Sequence, residues 1–406
     1  ALGNDTIPNL TALPSTVFDS PRVLLRIWFD DGANGLRQLA PDQVLGSVPY
    51  SVHAGVADTA THAATADNAL EAAHAVEADV ATTALDSLPS GLLVLSSTSE
   101  NPVPGFTFTG VRVEGQNSAW QPAAPLDTAV GSAASTVLDG RLHVISGYTD
   151  LSLETAHQVY NPANDEWSLL DPLPAGRFNL KACTVGGKIY VFGGIESGTA
   201  SVRTDIYDPD LNSWSPGERM PVGRSEFALT VLDGKIHVIG GFHPDPFRPL
   251  DDHSVYDPET NTWSPAAPLL EPFADVAGAV VGGKILVFTI AGRVFEYDPV
   301  GNNWIERAPH LIPFRSFKFA ALLNGRIHLL GGTAGVQTPL SFHDAYDPAS
   351  DTWSTQPPLP TPVWAASGGV IDGRIHVVGG NIAANTVTPS HQVFTPATSF
   401  FVFNKD

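Results

Sequence analysis

Three arginines are prominent in a chain with little positive charge. Arg177, Arg224 and Arg315 each lie ten residues before the second member of a turn pair, at Gly187, Gly234 and Gly325. The chain has 21 Lys and Arg against 42 Asp and Glu, a net charge of −21. A guanidinium grips a carboxylate or other oxyanion through parallel N–H donors. Three of them at one repeated position would ring a common mouth and suit an anionic group such as an acidic sugar. The competing reading is architectural: each arginine holds a carboxylate or backbone carbonyl of a neighbouring repeat. Val130, Phe273 and Val363 occupy the position in the other repeats.

A second polar constellation lies in GFHPDPFRPLDDHS, with His243, Asp245, Arg248, Asp251, Asp252 and His253. It suits a ligand loop or a weak cation site. It lacks the spacing of a tight metal site, so it reads first as an exposed polar loop. His143, His237, His328 and His376 share one place in the repeat, where another copy has Tyr190. Equivalent positions in separate repeats do not converge, so these read as strand residues, not metal ligands. The single cysteine, Cys183, sits in the apolar run LKACTV and reads as core. No intrachain disulfide can form. The residues call for no metal and no cofactor.

The elements that position these residues come from one phrase repeated six times: RLHVISGY, KIYVFGGI, KIHVIGGF, KILVFTIA, RIHLLGGT and RIHVVGGN. A turn pair precedes each copy, and an aromatic-plus-turn phrase of the type VYDPETNTW follows it. Trp120, Trp167, Trp214, Trp263, Trp304 and Trp353 are 47, 47, 49, 41 and 49 residues apart. A period near fifty signals stacked or radial repeats. The Asp-Gly and Asn-Gly pairs supply the positive φ of tight hairpins.

These phrases resemble Kelch repeats over residues 119–406. The resemblance implies an all-β fold, a six-bladed β-propeller of four-stranded blades. In such a blade the A–B and C–D turns are short and share one face. The longer B–C and D–A loops share the other, which makes it the expected binding face. Blade four's B–C loop is clipped: Gly283 to Tyr297 spans 14 residues, where Gly234 to Tyr256 spans 22. A notch in the rim beside Phe273 is expected. The outer-strand phrase occurs once too often, in NSAWQPAAPL and again in ATSFFVF. Trp120 or Phe401 therefore closes blade six, and the surplus strand covers an edge or adds to another chain.

The preceding residues divide into an N-terminal arm and small β module (1–50), a stalk (51–86) and a β neck (87–118). VLLRIWFDDGANGLRQL predicts a strand, a turn and a second strand. LAPDQVLGSVPYSVHA resembles an N-terminal module of bacterial secreted and tail-fibre-like proteins, which implies a stalk and a displayed head. Alanine occupies Ala54, Ala57, Ala60, Ala63, Ala66, Ala69, Ala72, Ala75, Ala78, Ala81 and Ala84 in strict period three. An α-helix turns about 100° per residue, so these alanines would circle it and form no stripe. Polyproline II has three residues per turn and keeps them on one side. The alanines then admit a second chain closely, so the stalk reads as an extended self-associating bundle. An Ala-rich helical coiled coil and a disordered linker are the alternatives.

Charge excludes a nucleic-acid partner, since phosphate binding needs basic patches. No apolar run of transmembrane length is present. The start Ala-Leu-Gly, without Met, fits a processed N-terminus after signal-peptide removal, and hence an extracellular or cell-surface location.

Two functions follow. The first is a fibre-like structural or adhesion protein that self-assembles through its stalk, with a trimer favoured and a filament possible, and displays the propeller to a surface protein or glycan. The second is a carbohydrate-active enzyme or lectin using the loop face. Galactose-oxidase-like propellers need a Cys–Tyr cross-link and copper histidines; Cys183 looks like core. Sialidase-type propellers carry an S-x-D-x-G-x-x-W box, absent here. No catalytic set is visible, so the non-enzymatic reading is preferred.

Overall fold

Each copy of the repeat folds as its pattern dictates. The computed structural model describes residues 118–397, apart from 245, 246, 311, 313, 336, 337 and 385, and the backbones of strands Val23–Asp30, Leu36–Leu45, Leu93–Ser99, Phe108–Glu114 and Ser399–Lys405. The eleven stalk alanines lie outside the described residues.

The chain forms two compact units, Ala1–Gly115 with Ser399–Asp406, and Gln116–Thr398. In the first, Val23–Asp30 pairs antiparallel with Leu36–Leu45, the predicted strand pair with a longer second strand. Leu93–Ser99 and Phe108–Glu114 form the neck ladder, and Ser399–Lys405 adds to it.

The second unit holds six four-stranded antiparallel sheets among the described residues. Sheet 1 comprises strands A to D at Ala134–Leu138, Arg141–Ile145, His157–Asn161 and Glu166–Leu170. Sheets 2 to 5 repeat this order, starting at Lys181, Ala228, Ala277 and Phe319. Sheet 6 takes A to C from Ser367–Ile371, Arg374–Val378 and His391–Thr395, and its D strand from Ala119–Pro122. Neighbouring A strands touch in sequence order, and sheet 6 returns to sheet 1, so the A strands close a ring.

The closing strand carries Trp120, which pairs with Phe394. The other candidate, Phe401, pairs with Arg112 in the neck ladder of its own chain. The surplus strand therefore covers a strand edge within its own chain, the first of the two places expected for it. It also moves the boundary, because the last strand leaves the head and joins the first unit.

Strand B is buried on both faces, so it reads as an unbroken apolar run. Strand D is mostly exposed on one side. The core is distributed: six apolar clusters occupy the six gaps between adjacent sheets. Two polar devices bridge those gaps. Each D-strand Trp donates its Nε1–H to a backbone carbonyl of the preceding sheet, at 2.8–3.2 Å. In sheets 1 to 5 the C-strand Tyr hydroxyl donates to an Asp or Asn in its own C–D turn, as Tyr256 does to Asn261 at 2.6 Å. That turn residue, held at positive φ, also accepts a backbone N–H from the preceding sheet. The Y-D-P-x-x-N-x-W phrase is thus an inter-sheet clamp.

The Gly-Gly pair has the same role on the loop side. In five sheets the second position donates its N–H to the carbonyl of the arginine-equivalent residue in the next sheet, as Gly194 does to Arg224 at 2.9 Å. At Gly193, φ is +58° and a Cβ would lie 2.5 Å from the Arg224 oxygen. Gly193→Ala is expected to cost about 2–4 kcal/mol, from left-handed strain plus displaced backbone. Gly187→Ala, at φ +74° with open space around it, should cost only about 1 kcal/mol. Urea unfolding of the two variants measures the difference, and equal midpoints would remove the close-approach explanation.

Candidate functional site

The three arginines do not ring a mouth. Their exposure is 0% for Arg177, 0% for Arg224 and 1% for Arg315, and all three guanidinium groups bond within their own sheet. Arg177 donates from Nη1 to Gly193 O at 3.1 Å and from Nη2 to the Asp205 carboxylate. Arg224 donates to the carbonyls of Gly240, Asp252 and Val222. Arg315 donates to Gly331 O, to Asp344 Oδ2 at 2.9 Å and to Phe342 O at 2.9 Å. Each guanidinium ties the Gly-Gly turn to the start of strand C. The architectural reading holds, with one correction: the partners belong to the same sheet. Burial lowers the pKa of Arg224 and of Arg315 to about 10, against the pull of Asp252 and Asp344 respectively.

The polar loop of sheet 3 folds as a small hairpin, Phe242–Pro244 with Phe247–Pro249. Arg248 is exposed, His243 and Asp252 are half-buried, and Asp245 lies outside the described residues. No metal-competent group of three His, Cys, Asp or Glu side chains occurs among the described residues. Comparable hairpins rise from sheets 2, 5 and 6, and each pairs with its own sheet's incoming loop. Sheet 4 has none. Phe273 does not line an open notch: it is 9% exposed, bridges to Leu250 and packs on Phe295.

Each repeated B-strand histidine has a second histidine beside it, which sequence reasoning missed. The Nδ1···Nε2 distances are 2.9 Å for His143–His157, 2.8 Å for His237–His253, 2.7 Å for His328–His343 and 2.8 Å for His376–His391. The second histidines of sheets 3, 5 and 6 turn Nδ1 to a carbonyl, of Ala267, Pro357 and Ala124. The next sheet's tryptophan uses that same carbonyl. Nδ1–H therefore donates to the carbonyl, Nε2 accepts, and the first histidine donates: both rings are neutral. Burial lowers the first histidine of each pair to about 4, and burial with its neighbour's charge lowers His157, His253 and His343 to about 3. The signal was present as a histidine three residues before the C-strand aromatic (HQVY, HSVY, HDAY and HQVF), in the sheets that carry the first histidine. Cys183 is buried, and burial raises its thiol pKa.

The axis holds the remaining polar groups. Two residues after each arginine-equivalent position, Ser132, Asn179, Glu226, Asp275, Phe317 and Ala365 all have positive φ. They form a hydrogen-bonded circuit: Ser132 N to Ala365 O, Asn179 N to Ser132 O, Glu226 N to Asn179 O, and Ala365 N to Phe317 O. At sheet 4 the pattern changes. Val276 N reaches Glu226 O, and Phe317 N donates to the Asp275 carboxylate at 2.6 Å. Inside the circuit lies a cavity of about 40 Å³ whose lining includes Lys181, Lys318, Glu226, Asp275 and Asn179. That is room for about three waters. Burial, with Asp275 close by, raises Glu226 to about 7; burial lowers Lys318 to about 8.

Residues 120–289 match the family model of the KLHDC2/KLHL20/DRC7 Kelch-repeats domain. Over that stretch the chain is similar to a Kelch-repeats domain. No curated relative matches the sequence. A solved structure titled "Structure of YjhT" is similar at 18% identity with a TM-score of 0.61, over 68% of this chain and 99% of that one. The likeness is one of fold. The Kelch β-propeller expected from the repeated phrases is thus supported by both comparisons. The residues of the repeated phrases build inter-sheet clamps, and the side chains that vary from sheet to sheet collect at the axis and on the loops.

Proposed function

We propose that this protein is a secreted or cell-surface, fibre-like homo-oligomer whose six-bladed Kelch propeller makes contacts with a surface protein or glycan and carries out no catalysis. A Kelch domain supports the interaction role. The observation that carries the assignment to the loop face is its apolar sector. Leu151 is 95% exposed in the B–C loop of sheet 1, Phe342 is 41% exposed in that of sheet 5, and Ile382 is 41% exposed in that of sheet 6. Phe314, 69% exposed, stands on the loop entering sheet 5. Sheets 5, 6 and 1 are consecutive in the ring. Tyr148 and Asp150 of sheet 1 bond Asn381 and Val387 of sheet 6, which fixes two of these loops side by side. Apolar side chains on rigid loops are what a partner buries. The period-three stalk supports self-assembly.

Leu151→Asp with Ile382→Asp should abolish binding of the labelled full chain to cells of its source and leave the thermal midpoint within about 2 °C, since surface changes cost little. Unchanged binding would sink the loop-face reading. Light scattering should give a multiple of 42.9 kDa. A monomer at micromolar concentration would sink the assembly reading.

A further inference from the structure

Building on the loop-face assignment above, we infer that the sector over sheets 5, 6 and 1 docks a protein that presents an apolar ridge flanked by basic side chains. Charge placement sets this sector apart. The B–C loops of sheets 5 and 6, at 331–342 and 379–390, and the loop entering sheet 6, at 356–366, contain no Asp, Glu, Lys or Arg, in a chain that is 16% charged. Every B–C loop and incoming loop of sheets 2 and 3 holds at least one. Depletion of charge across an exposed apolar patch is the compositional mark of an interface core. A sugar site would instead be lined by polar side chains placed to fix the hydroxyls.

The anchor is fixed in advance. Phe314 is 69% exposed and has φ +60°, a region uncommon for a bulky residue. Its N–H donates to Ile290 O at 2.7 Å, which ties the loop entering sheet 5 onto the short B–C loop of sheet 4. The next residue, Arg315, donates to Phe342 O at 2.9 Å, so one buried side chain links the backbones of both exposed phenylalanines. Backbone strain kept at an exposed position points to use there. Groups held in place beforehand lose little freedom on binding.

The rim sets the charge of the partner. Asp127 and Asp150 are exposed on sheet 1, whose loops at 123–133 and 146–156 hold no Lys or Arg. On the other flank, Arg293 of sheet 4 lies between two carboxylates, Glu271 and Glu306. The exposed arginines of the loop face, Arg219 and Arg248, stand on sheet 3, outside the sector. A second copy, at a net charge of −21, is repelled, whereas basic side chains beside an apolar ridge are attracted.

The test follows binding of the labelled full chain to cells of its source that are untreated, trypsin-shaved, amine-acetylated or periodate-oxidised. Binding should be lost after trypsin or acetylation and kept after periodate. Asp127→Asn with Asp150→Asn should weaken binding to untreated cells at least about fivefold. Phe314→Asn should weaken it at least about tenfold. Its thermal midpoint should hold or rise, because Asn tolerates positive φ, whereas loss of a merely structural phenylalanine would lower it. Binding that survives trypsin and is lost after periodate makes the receptor a glycan; it overturns this inference and leaves the loop-face assignment standing. Unchanged binding by either variant also overturns it, as does a fall in assembly mass on Phe314→Asn, which would give the sector to a second copy. Absence of wild-type binding to untreated cells overturns both.

Discussion

Acidification from pH 7 to 5 is expected to unfold or severely destabilise the propeller while its carboxylate pairs are still ionised. Eight histidines stand in four buried pairs, with native values lowered from 6.5 to about 3 or about 4. In the unfolded chain each protonates near 6.5; in the native state each stays neutral until far lower. Between those values the unfolded state binds more protons, so stability falls as pH falls. The contribution is fully present above pH 6.5 and is lost progressively toward pH 4. Each fully unmatched proton costs about 1.4 kcal/mol per pH unit. Eight sites one unit below 6.5 sum to on the order of 10 kcal/mol, comparable with a whole domain's stability.

Geometry gives the same sign. Protonating the acceptor Nε2 sets two N–H groups face to face at 2.7–2.9 Å. Calorimetry at pH 5.5, in buffers of different ionisation heat, should show uptake of roughly six to eight protons on unfolding. Uptake of two or fewer would mean that the pairs are already protonated in the native state. His237→Gln with His253→Leu should lower the uptake by about two.

Replacing Arg315 by Leu is expected to cost about 3–5 kcal/mol, the usual penalty for removing one member of a buried ion pair. Asp344 would keep only His310 at 3.2 Å, and the carbonyls of Gly331 and Phe342 would lose their donor. Burial pushes the Asp344 carboxyl up, and His310 and Arg315 more than offset this; without Arg315 the group would protonate at higher pH. Arg177→Leu should cost less, because Arg203 still holds Asp205 at 3.0 Å. Arg224 bonds carbonyls alone and leaves no buried carboxylate stranded, so Arg224→Leu should cost about 1–3 kcal/mol in all. The denaturant midpoint should be lowest for Arg315→Leu and higher for the other two variants. If Arg315→Leu instead lowered ligand affinity and left the midpoint unchanged, these arginines would be recognition residues after all.

How much was legible depends on the range of the interaction. Hairpin turns, apolar B strands and the Trp phrase are local or periodic signals, so the sequence alone predicted the sheets and their order. The arginines illustrate the limit. Their spacing is visible in the chain, but their direction depends on Asp205, Asp344 and the Gly-Gly carbonyls, which folding brings within 3 Å or so. The histidine pairs were legible in principle, because a histidine three residues before the C-strand aromatic recurs with the first histidine. They went unread because partners fourteen to sixteen residues apart meet only across a strand pair. The axial cluster had no local signature: Lys181, Glu226, Asp275 and Lys318 come from four sheets, and only ring closure brings them together.

The sequence by itself determined the repeating unit and the chemistry of its turns, since positive φ, alternation and Tyr-Asp-Pro act within a few residues. Only the tertiary structure decided which terminal strand closes the ring. Trp120 takes that place by pairing with Phe394 and donating to Pro357 O, whereas Phe401 finds its ladder on Phe108–Glu114. The two phrases look alike in the chain, and the choice depends on which strand finds an open sheet edge beside it.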